Sequence, residues 1–408
     1  MRIAHFFSGD PNTGAASGAL NLCKGLVKNN THIEIFNDKF DFNIKEQKIF
    51  YKKNYIKNFF SNINNIYDRC SFFSLKKKIK FSNGLIGRLP ISIDEINKFD
   101  IVHLHWINNG FFNLKYLNKI NVPIVWTIRD MWPFTGGCHY TLGCKRFHTE
   151  CKKCPSIKTL LFKKDIIYNL FKKKSSILDN KKIYVVAISE WIENELRNSF
   201  LLKNKNISQI YNCIDDEIFF PENIINARKK LKLPLNKFII LIGSQKLDDK
   251  IKNNRKIFNI LNDHKFRDCF FISFGKNFKS FKNLKNYGYI KDKNILRQIF
   301  SASNLYLSFA KEEAFGKTLA ESLMCNTPVV AYDNNSSKEI IDHKKNGYIV
   351  NDENYDIAID WIRRYKNKNE QQINISNTEK FTLREISRQY IELYSKILNE
   401  KKNSLLIN

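Results

Sequence analysis

Seven residues separate Glu313 from Glu321 in the segment Glu313-Ala-Phe-Gly-Lys-Thr-Leu-Ala-Glu321. The apolar run Leu305–Phe309 precedes it, and Asn326-Thr-Pro with the run Val329–Tyr332 follows. A helix beginning near Gly316 puts Glu313 in the loop before it and Glu321 on its second turn. The unpaired N–H groups of Gly316, Lys317 and Thr318 then form an anion site favoured by the helix dipole. Gly316 lets a phosphate or sugar approach the backbone closely. Glu313 is placed to accept hydrogen bonds from sugar hydroxyls, and Glu321 from a ribose diol.

A second concentration of reactive residue types lies at 126–154. It reads Trp126-Thr-Ile-Arg-Asp-Met-Trp-Pro-Phe-Thr-Gly-Gly-Cys-His-Tyr and continues to Cys144, Cys151 and Cys154-Pro. Four of the nine cysteines are therefore Cys138, Cys144, Cys151 and Cys154. The Cys-x-x-Cys spacing of the last pair is a common half of a structural zinc site. Free thiols in a packed core are the competing reading, and a disulfide suits an intracellular compartment least.

These groups need a scaffold that brings loops together. Continuous apolar runs at Arg2–Phe7, Ile101–His105, Ile124–Ile128 and Ile183–Ile188 read as buried parallel strands separated by helical stretches. The rhythm restarts at Phe238–Ile242, Cys269–Phe274, Leu305–Phe309 and Val329–Tyr332. Two α/β sets imply two Rossmann-like domains, residues 1–210 and 211–380, joined near Tyr211–Pro234. Residues 381–408 hold a final amphipathic helix that could pack back on the first domain. Residues 36–82 show little pattern. Ligands of open α/β sheets bind beyond the carboxyl ends of the strands, so the expected site is a cleft between facing domains.

The chain has 408 residues with 68 Lys+Arg against 40 Asp+Glu, a net charge of +28. Residues 51–80 carry eight basic residues and one acid, and residues 151–182 carry ten and two. Apolar residues interleave both stretches: Tyr55, Phe59 and Phe60 in one, Leu160, Leu161, Phe162, Ile166, Ile167, Leu170 and Phe171 in the other, which ends at Lys172, Lys173 and Lys174. Such a pattern fits an anionic membrane surface, or a helix packed on its own domain with solvated lysines. No zinc-finger, RNA-binding or helix-turn-helix pattern supports nucleic acid. No apolar run reaches the ~18–20 residues that span a bilayer, and no signal peptide is evident at Met1–Asp10. The expected location is cytoplasmic.

The paired glutamates resemble the motif of retaining glycosyltransferases of family four, which have the GT-B fold of two Rossmann-like domains facing across a cleft. That motif reads Glu-Gly-Phe-Gly, a second Glu, then Gly-x-Pro-Val-Val-Ala. Here Ala314 and Asn326 replace two of its glycines. The segment at 126–154 resembles a subgroup that makes bacterial surface polysaccharides, including colanic-acid-type transferases. Arg129 stands where that subgroup has a His approaching the donor sugar. Arg can donate to a hydroxyl or phosphate but cannot act as a neutral acceptor.

The resemblance implies that Glu313, Arg129 and Asp130 are catalytic. It implies donor binding by Lys252, Glu321, Phe315, Gly316, Lys317, Thr318 and Gly14, the last from the small-residue loop Gly14-Ala-Ala-Ser-Gly-Ala-Leu. Lys252 follows Ile242-Gly-Ser-Gln, where Ser244 stands at a position often Arg, so Lys250 or Arg255 could share its role. Tyr211-Asn-Cys-Ile-Asp215 is similar to the family's interdomain segment. His139, Gly136, Gly137 and His105 are cleft or acceptor candidates; the two glycines can offer bare amides, and core-facing histidines are the competing reading of His103 and His105.

The implied reaction moves a sugar from a nucleotide-sugar donor to an acceptor hydroxyl with retention, without a catalytic cofactor, since no Asp-x-Asp motif is present. The implied acceptor is a lipid-linked oligosaccharide or other glycan, at the inner face of the inner membrane. The alternatives are a non-catalytic basic protein that binds nucleic acid, separable by salt-dependent DNA binding without turnover, and an epimerase or phosphorylase on the same fold.

Overall fold

The structure is a computed structural model that describes residues 1–38, 49–51, 80–156, 165–246, 254–276, 281–333, 335–367 and 377–406. The chain divides into two compact units, Met1–Cys213 with Leu383–Asn408, and Ile214–Thr382.

The first unit is built on seven parallel strands: β1 (Arg2–Phe6), β2 (His32–Phe36), β3 (Ile49–Tyr51), β4 (Ile101–Leu104), β5 (Ile124–Ile128), β6 (Ile183–Ala187) and β7 (Asn206–Gln209). Their order is β3-β2-β1-β4-β5-β6-β7. Helices α1 (Gly14–Lys28), α2 (Ile93–Ile96), α3 (Ile166–Asp179) and α4 (Glu190–Asn198) connect them. Strands β4, β5 and β6 are buried at every residue, which explains their unbroken apolar sequences.

The second unit has six parallel strands: β8 (Ile239–Lys246), β9 (Phe270–Lys276), β10 (Leu284–Asn286), β11 (Leu305–Ser308), β12 (Val329–Tyr332) and β13 (Gly347–Val350), in the order β10-β9-β8-β11-β12-β13. Its helices are α5 (Ile224–Leu231), α6 (Asn254–Asn262), α7 (Lys293–Ser301), α8 (Lys317–Met324), α9 (Ser337–Ile340) and α10 (Tyr355–Asn367). The last helix, α11 (Leu383–Leu406), belongs to the first unit. Its Leu383, Ile386, Tyr390, Tyr394 and Ile397 join α1 residues in one core over the sheet.

In both sheets the strand order reverses once, between β1 and β4 and between β8 and β11. Each reversal leaves a crevice at the carboxyl ends of the two strands, where doubly wound sheets bind ligands. The sequence reading passes over β2, β3, β7, β10 and β13. Four of them, β3, β7, β10 and β13, are edge strands, and β7 and β10 read Asn-Ile-Ser-Gln and Leu-Lys-Asn, with too little apolar character to register.

Within the basic stretch 151–182, the described helix α3 follows the reading of a helix packed on its own unit, except that one lysine is not solvated. The apolar face of α3 (Ile167, Leu170, Phe171, Ile177 and Leu178) is buried in its own unit, and Lys174 is buried with it. Its Nζ donates to the carbonyls of Trp132 at 2.8 Å and Thr135 at 3.1 Å, over the Trp132 ring. Two carbonyls and a ring hold that ammonium, so it is unavailable to a membrane. Tyr55, Phe59, Phe60, Leu160, Leu161 and Phe162 lie outside the described residues.

Candidate active site

In the second unit the site forms where β8 and β11 diverge. Gly316 caps α8 with φ +86°, the left-handed region. A Cβ there would also come within 2.9 Å of Leu319 Cδ1. Gly316→Ala should therefore cost about 1–2 kcal/mol of second-unit stability, readable as a shifted denaturation midpoint. The turn brings Lys317 and Thr318 to the first turn of α8 and Glu321 to its second. Glu321 is 6% exposed, and its carboxylate meets the Lys317 ammonium at 3.5 Å. Burial pushes the Glu321 carboxyl above the usual carboxylate range, and Lys317 and Lys293 oppose that only partly.

Tyr306 ties the pieces together. Its hydroxyl bonds the Gly243 carbonyl at 2.8 Å and Thr318 Oγ1 at 3.1 Å, linking the middle of β8 to the start of α8. Burial raises this phenol, and the charges of Glu313 and Glu321 raise it further, so both carboxylates act on one point. Ser336 Oγ donates to the Glu313 carbonyl at 3.0 Å and fixes the loop. Glu313 is partly exposed, Glu312 beside it is buried, and Phe315 is buried against Phe381. Lys250 and Lys252 lie outside the described residues.

In the first unit, strand alternation aligns a polar face within an apolar sheet. His5 pairs in register with His103, and His103 with Val125, so His5, His103, His105, Thr127 and Arg129 share one face. Tyr390 and Tyr394 of α11 cover it: His103 bonds Tyr394 Oη at 2.6 Å and Thr127 Oγ1 at 2.7 Å, and Thr127 bonds Tyr390 Oη at 2.7 Å. Arg129 Nη2 meets His105 Nδ1 at 3.3 Å, and His105 Nε2 meets His5 Nδ1 at 3.0 Å. A guanidinium only donates. His105 therefore accepts at Nδ1, carries its proton on Nε2 and donates it to His5. Burial first, and the Arg129 charge among the remaining causes, hold all three histidines below the usual imidazole range, His5 at about 3.

The three histidines offer ligand atoms within 4.8 Å of one another. Both ring nitrogens of His103 are engaged by hydroxyls, and the Arg129 guanidinium stands against His105. The charge there opposes a cation, so the trio is a neutral, proton-ordered ladder. His5 is a functional-face residue that sequence reasoning missed; the signal was its place in an apolar strand beside His103.

The position of Arg129 depends on Gly18 of α1. A Cβ at Gly18 would come within 2.4 Å of both Arg129 Nη1 and Asn212 Oδ1, which are themselves hydrogen-bonded at 2.7 Å. Gly18→Ala is expected to displace the guanidinium and destabilise the first unit by about 1–3 kcal/mol, measured by denaturant unfolding. Gly14 is exposed at the start of α1, with no atom within 4 Å of its Cβ direction.

Asp130 faces another way. Its carboxylate accepts from His139 Nδ1 at 2.6 Å, Trp106 Nε1 at 2.8 Å and the Trp132 N–H at 3.0 Å. Burial alone would raise its pKa; His139, the Trp132 N–H and Lys80 overcome that and lower it. Burial lowers His139 in turn, more than Asp130 raises it. Asp130 is thus the ionised partner of a neutral imidazole.

His139 and the two glycines depart from expectation. His139 is 1% exposed, with its second nitrogen on Ser82 Oγ at 3.0 Å. It orients Asp130 rather than facing a ligand. The Gly136 N–H goes to Cys151 Sγ and the Gly137 N–H to Thr135 Oγ1, both at 3.3 Å, so these amides are not bare.

The four cysteines Cys138, Cys144, Cys151 and Cys154 are free thiols that influence one another electrostatically. Three of them pack on Phe81, Ile167 and Leu170. None of the four belongs to the group of potential metal ligands, His5, His103 and His105, present among the described residues.

A family model described as Glycosyltransferase Family 4 matches residues 12–218, and one described as Glycosyl transferases group 1 matches residues 274–380. The chain is 35% identical over 66 residues to the colanic acid biosynthesis glycosyl transferase WcaC of Escherichia coli (strain K12), covering 14% of this chain and 16% of that protein. It is 24% identical over 234 residues to the N-acetyl-alpha-D-glucosaminyl L-malate synthase of Bacillus anthracis, covering 54% of this chain and 61% of that one. The matches thus span less than two thirds of either relative's length. The crystal structure of Anabaena Alr3699/HepE in complex with UDP-glucose superposes with a TM-score of 0.61 at 13% identity, covering 97% of this chain and 100% of that one. At that identity the likeness concerns the fold alone. The sheets are two doubly wound α/β units of the GT-B kind, half of the chain is matched by the first family model, and the chain belongs to glycosyltransferase family 4.

Proposed function

We propose that the protein transfers a sugar from a nucleotide-sugar donor to an acceptor hydroxyl with retention at the anomeric carbon, in the synthesis of a bacterial surface polysaccharide. The observation that carries this is the second unit's arrangement: Glu321 buried on α8, one turn from the left-handed Gly316, with Glu313 in the loop before it. The first-turn amides of α8 supply positive potential for the donor diphosphate, and Lys252 adds the side-chain cation that the family resemblance assigns. Glu321 accepts the ribose hydroxyls and Glu313 the donor sugar's hydroxyls. The C1–O bond to the diphosphate breaks as the acceptor oxygen bonds C1 on the same face. The leaving diphosphate takes the acceptor proton, so positioning and charge stabilisation carry the catalysis.

Thermal stabilisation by UDP, GDP, ADP and their sugar conjugates tests the donor site. At ~100 times its dissociation constant, the right ligand adds about 2.7 kcal/mol. Glu321→Ala should abolish the shift; an equal shift in the variant would remove Glu321 from the site.

The acceptor in this reading is a lipid-linked oligosaccharide reached at the inner face of the membrane. No helix among the described residues is long and apolar enough to cross a membrane. With the apolar face of α3 turned inward, contact through that helix rests on exposed lysines such as Lys172 and Lys173. Binding to anionic vesicles should exceed binding to neutral ones and weaken with salt. Equal binding to both would refute the docking.

A further inference from the structure

Arg129 is a buried cation with no carboxylate among its hydrogen-bond partners in the described residues. It is 9% exposed, and it donates to the neutral Asn212 amide, through Nη1, and to the neutral His105 imidazole, through Nη2. Its Nε has no acceptor. The ionisable groups that act most on its charge are the phenols of Tyr390 and Tyr394 and the thiols of Cys213 and Cys23. Burial raises the two phenols and the Cys23 thiol, so these are neutral near pH 7, and Cys213 is buried beside them. The carboxylate next in the chain, Asp130, is committed to His139, Trp106 and Trp132.

The surroundings add no compensation. His5, His103 and His105 are neutral, and His5 Nε2, which the ladder leaves protonated, also lacks an acceptor. Two fully or largely buried donors, His5 Nε2 and Arg129 Nε, are therefore unsatisfied on one face of the sheet. An unpaired buried charge is costly, and a guanidinium is the side chain suited to bidentate recognition of a carboxylate. Five N–H groups are present, and the bonds to Asn212 and His105 leave three for a ligand. The residue sits just beyond the carboxyl end of β5, where the fold places ligands.

We propose that Arg129 receives the carboxylate of an acidic sugar, so that the enzyme's donor or acceptor is a uronic-acid-type sugar rather than a neutral hexose. This rests on the sugar-transfer reading. The ladder from His5 through His105, with Asn212 opposite, holds the guanidinium in place.

The test compares paired probes that differ by one carboxylate. In the donor arm, UDP-glucuronate is compared with UDP-glucose. In the acceptor arm, methyl glucuronide is compared with methyl glucoside, with and without UDP. Affinities are read by thermal shift and calorimetry for wild type, Arg129→Met and Arg129→Lys, with Arg129→His in reserve if the Met variant does not fold.

The expected result is at least a tenfold preference for the acidic member in one arm of the wild type. Arg129→Met (or Arg129→His) should abolish it and Arg129→Lys should keep part of it; which arm shows it identifies donor or acceptor. No acid preference in either arm overturns the proposal, and so does a preference that survives in Arg129→Met. Wild type that binds UDP without any acid preference sinks this inference alone. Failure to bind any nucleotide counts against the sugar-transfer reading, and the nucleotide-free acceptor arm still decides the role of Arg129.

Discussion

Alanine at Glu313 is expected to lower kcat for sugar transfer by roughly 10²–10³-fold, about 3–4 kcal/mol of transition-state stabilisation, with a smaller change in KM. The loop between β11 and α8 is pinned by Ser336 on the Glu313 carbonyl, so the backbone is set before any ligand arrives. The Glu313 and Glu321 carboxylates both act on Tyr306, whose hydroxyl joins Gly243 of β8 to Thr318. As charge develops on the sugar ring, a fixed carboxylate nearby is worth more than it is in the ground state. Glu313→Gln keeps an acceptor oxygen and should lose less. Steady-state kinetics decide the matter: a Glu313→Ala enzyme within threefold of wild type in kcat would place the chemistry elsewhere.

The second large effect is on acid stability. His5, His103 and His105 are buried and neutral, with folded pKa values below the usual 6.5. Once unfolded, each binds a proton below about pH 6.5. In the window from 6.5 down to about 3, where His5 titrates in the folded state, the unfolded chain holds more protons. Stability therefore falls as the pH falls. Each group contributes up to about 1.4 kcal/mol per pH unit, so three give about 4 kcal/mol per unit. That is a large part of a total of roughly 5–15 kcal/mol. His139, also lowered by burial, acts in the same direction.

Urea unfolding followed by tryptophan fluorescence should show the first unit losing about 4 kcal/mol between pH 7 and 5.5. The signal suits this use, because Trp106, Trp126, Trp132 and Trp191 of the five tryptophans lie in that unit. His5→Asn should reduce the slope by about a third. A stability unchanged from pH 7.5 to 5 would mean the histidines are charged or solvated.

Much of this was legible in the sequence because buried parallel strands are written as unbroken apolar runs. Ile124–Ile128 and Val329–Tyr332 occur as strands with those limits. The helix expected near Gly316 runs from Lys317, because a left-handed glycine before Lys-Thr-Leu-Ala has few other uses. Edge strands such as Asn206–Gln209 escaped because one open edge removes the demand for apolar residues.

The sites were harder to read, since partners close over distances that spacing does not reveal. Nothing local announces that Tyr394 will meet His103, 291 residues away, or that Lys174 will be taken into the core under Trp132. Gly136 and Gly137 read as exposed amides because the sequence does not show Cys151 and Thr135 turning toward them.

The central claim is transfer from a nucleotide-sugar with retention, and anomeric product analysis tests it most directly. The purified protein is incubated with UDP-, GDP- and ADP-linked α-sugars, with and without glycan acceptors, and proton NMR follows the first product formed. The account predicts consumption of one donor, release of its nucleoside diphosphate, and a transferred or released sugar that appears first as the α-anomer. A β-anomer appearing first would contradict retention, and a full panel of donors left intact would contradict the transfer itself.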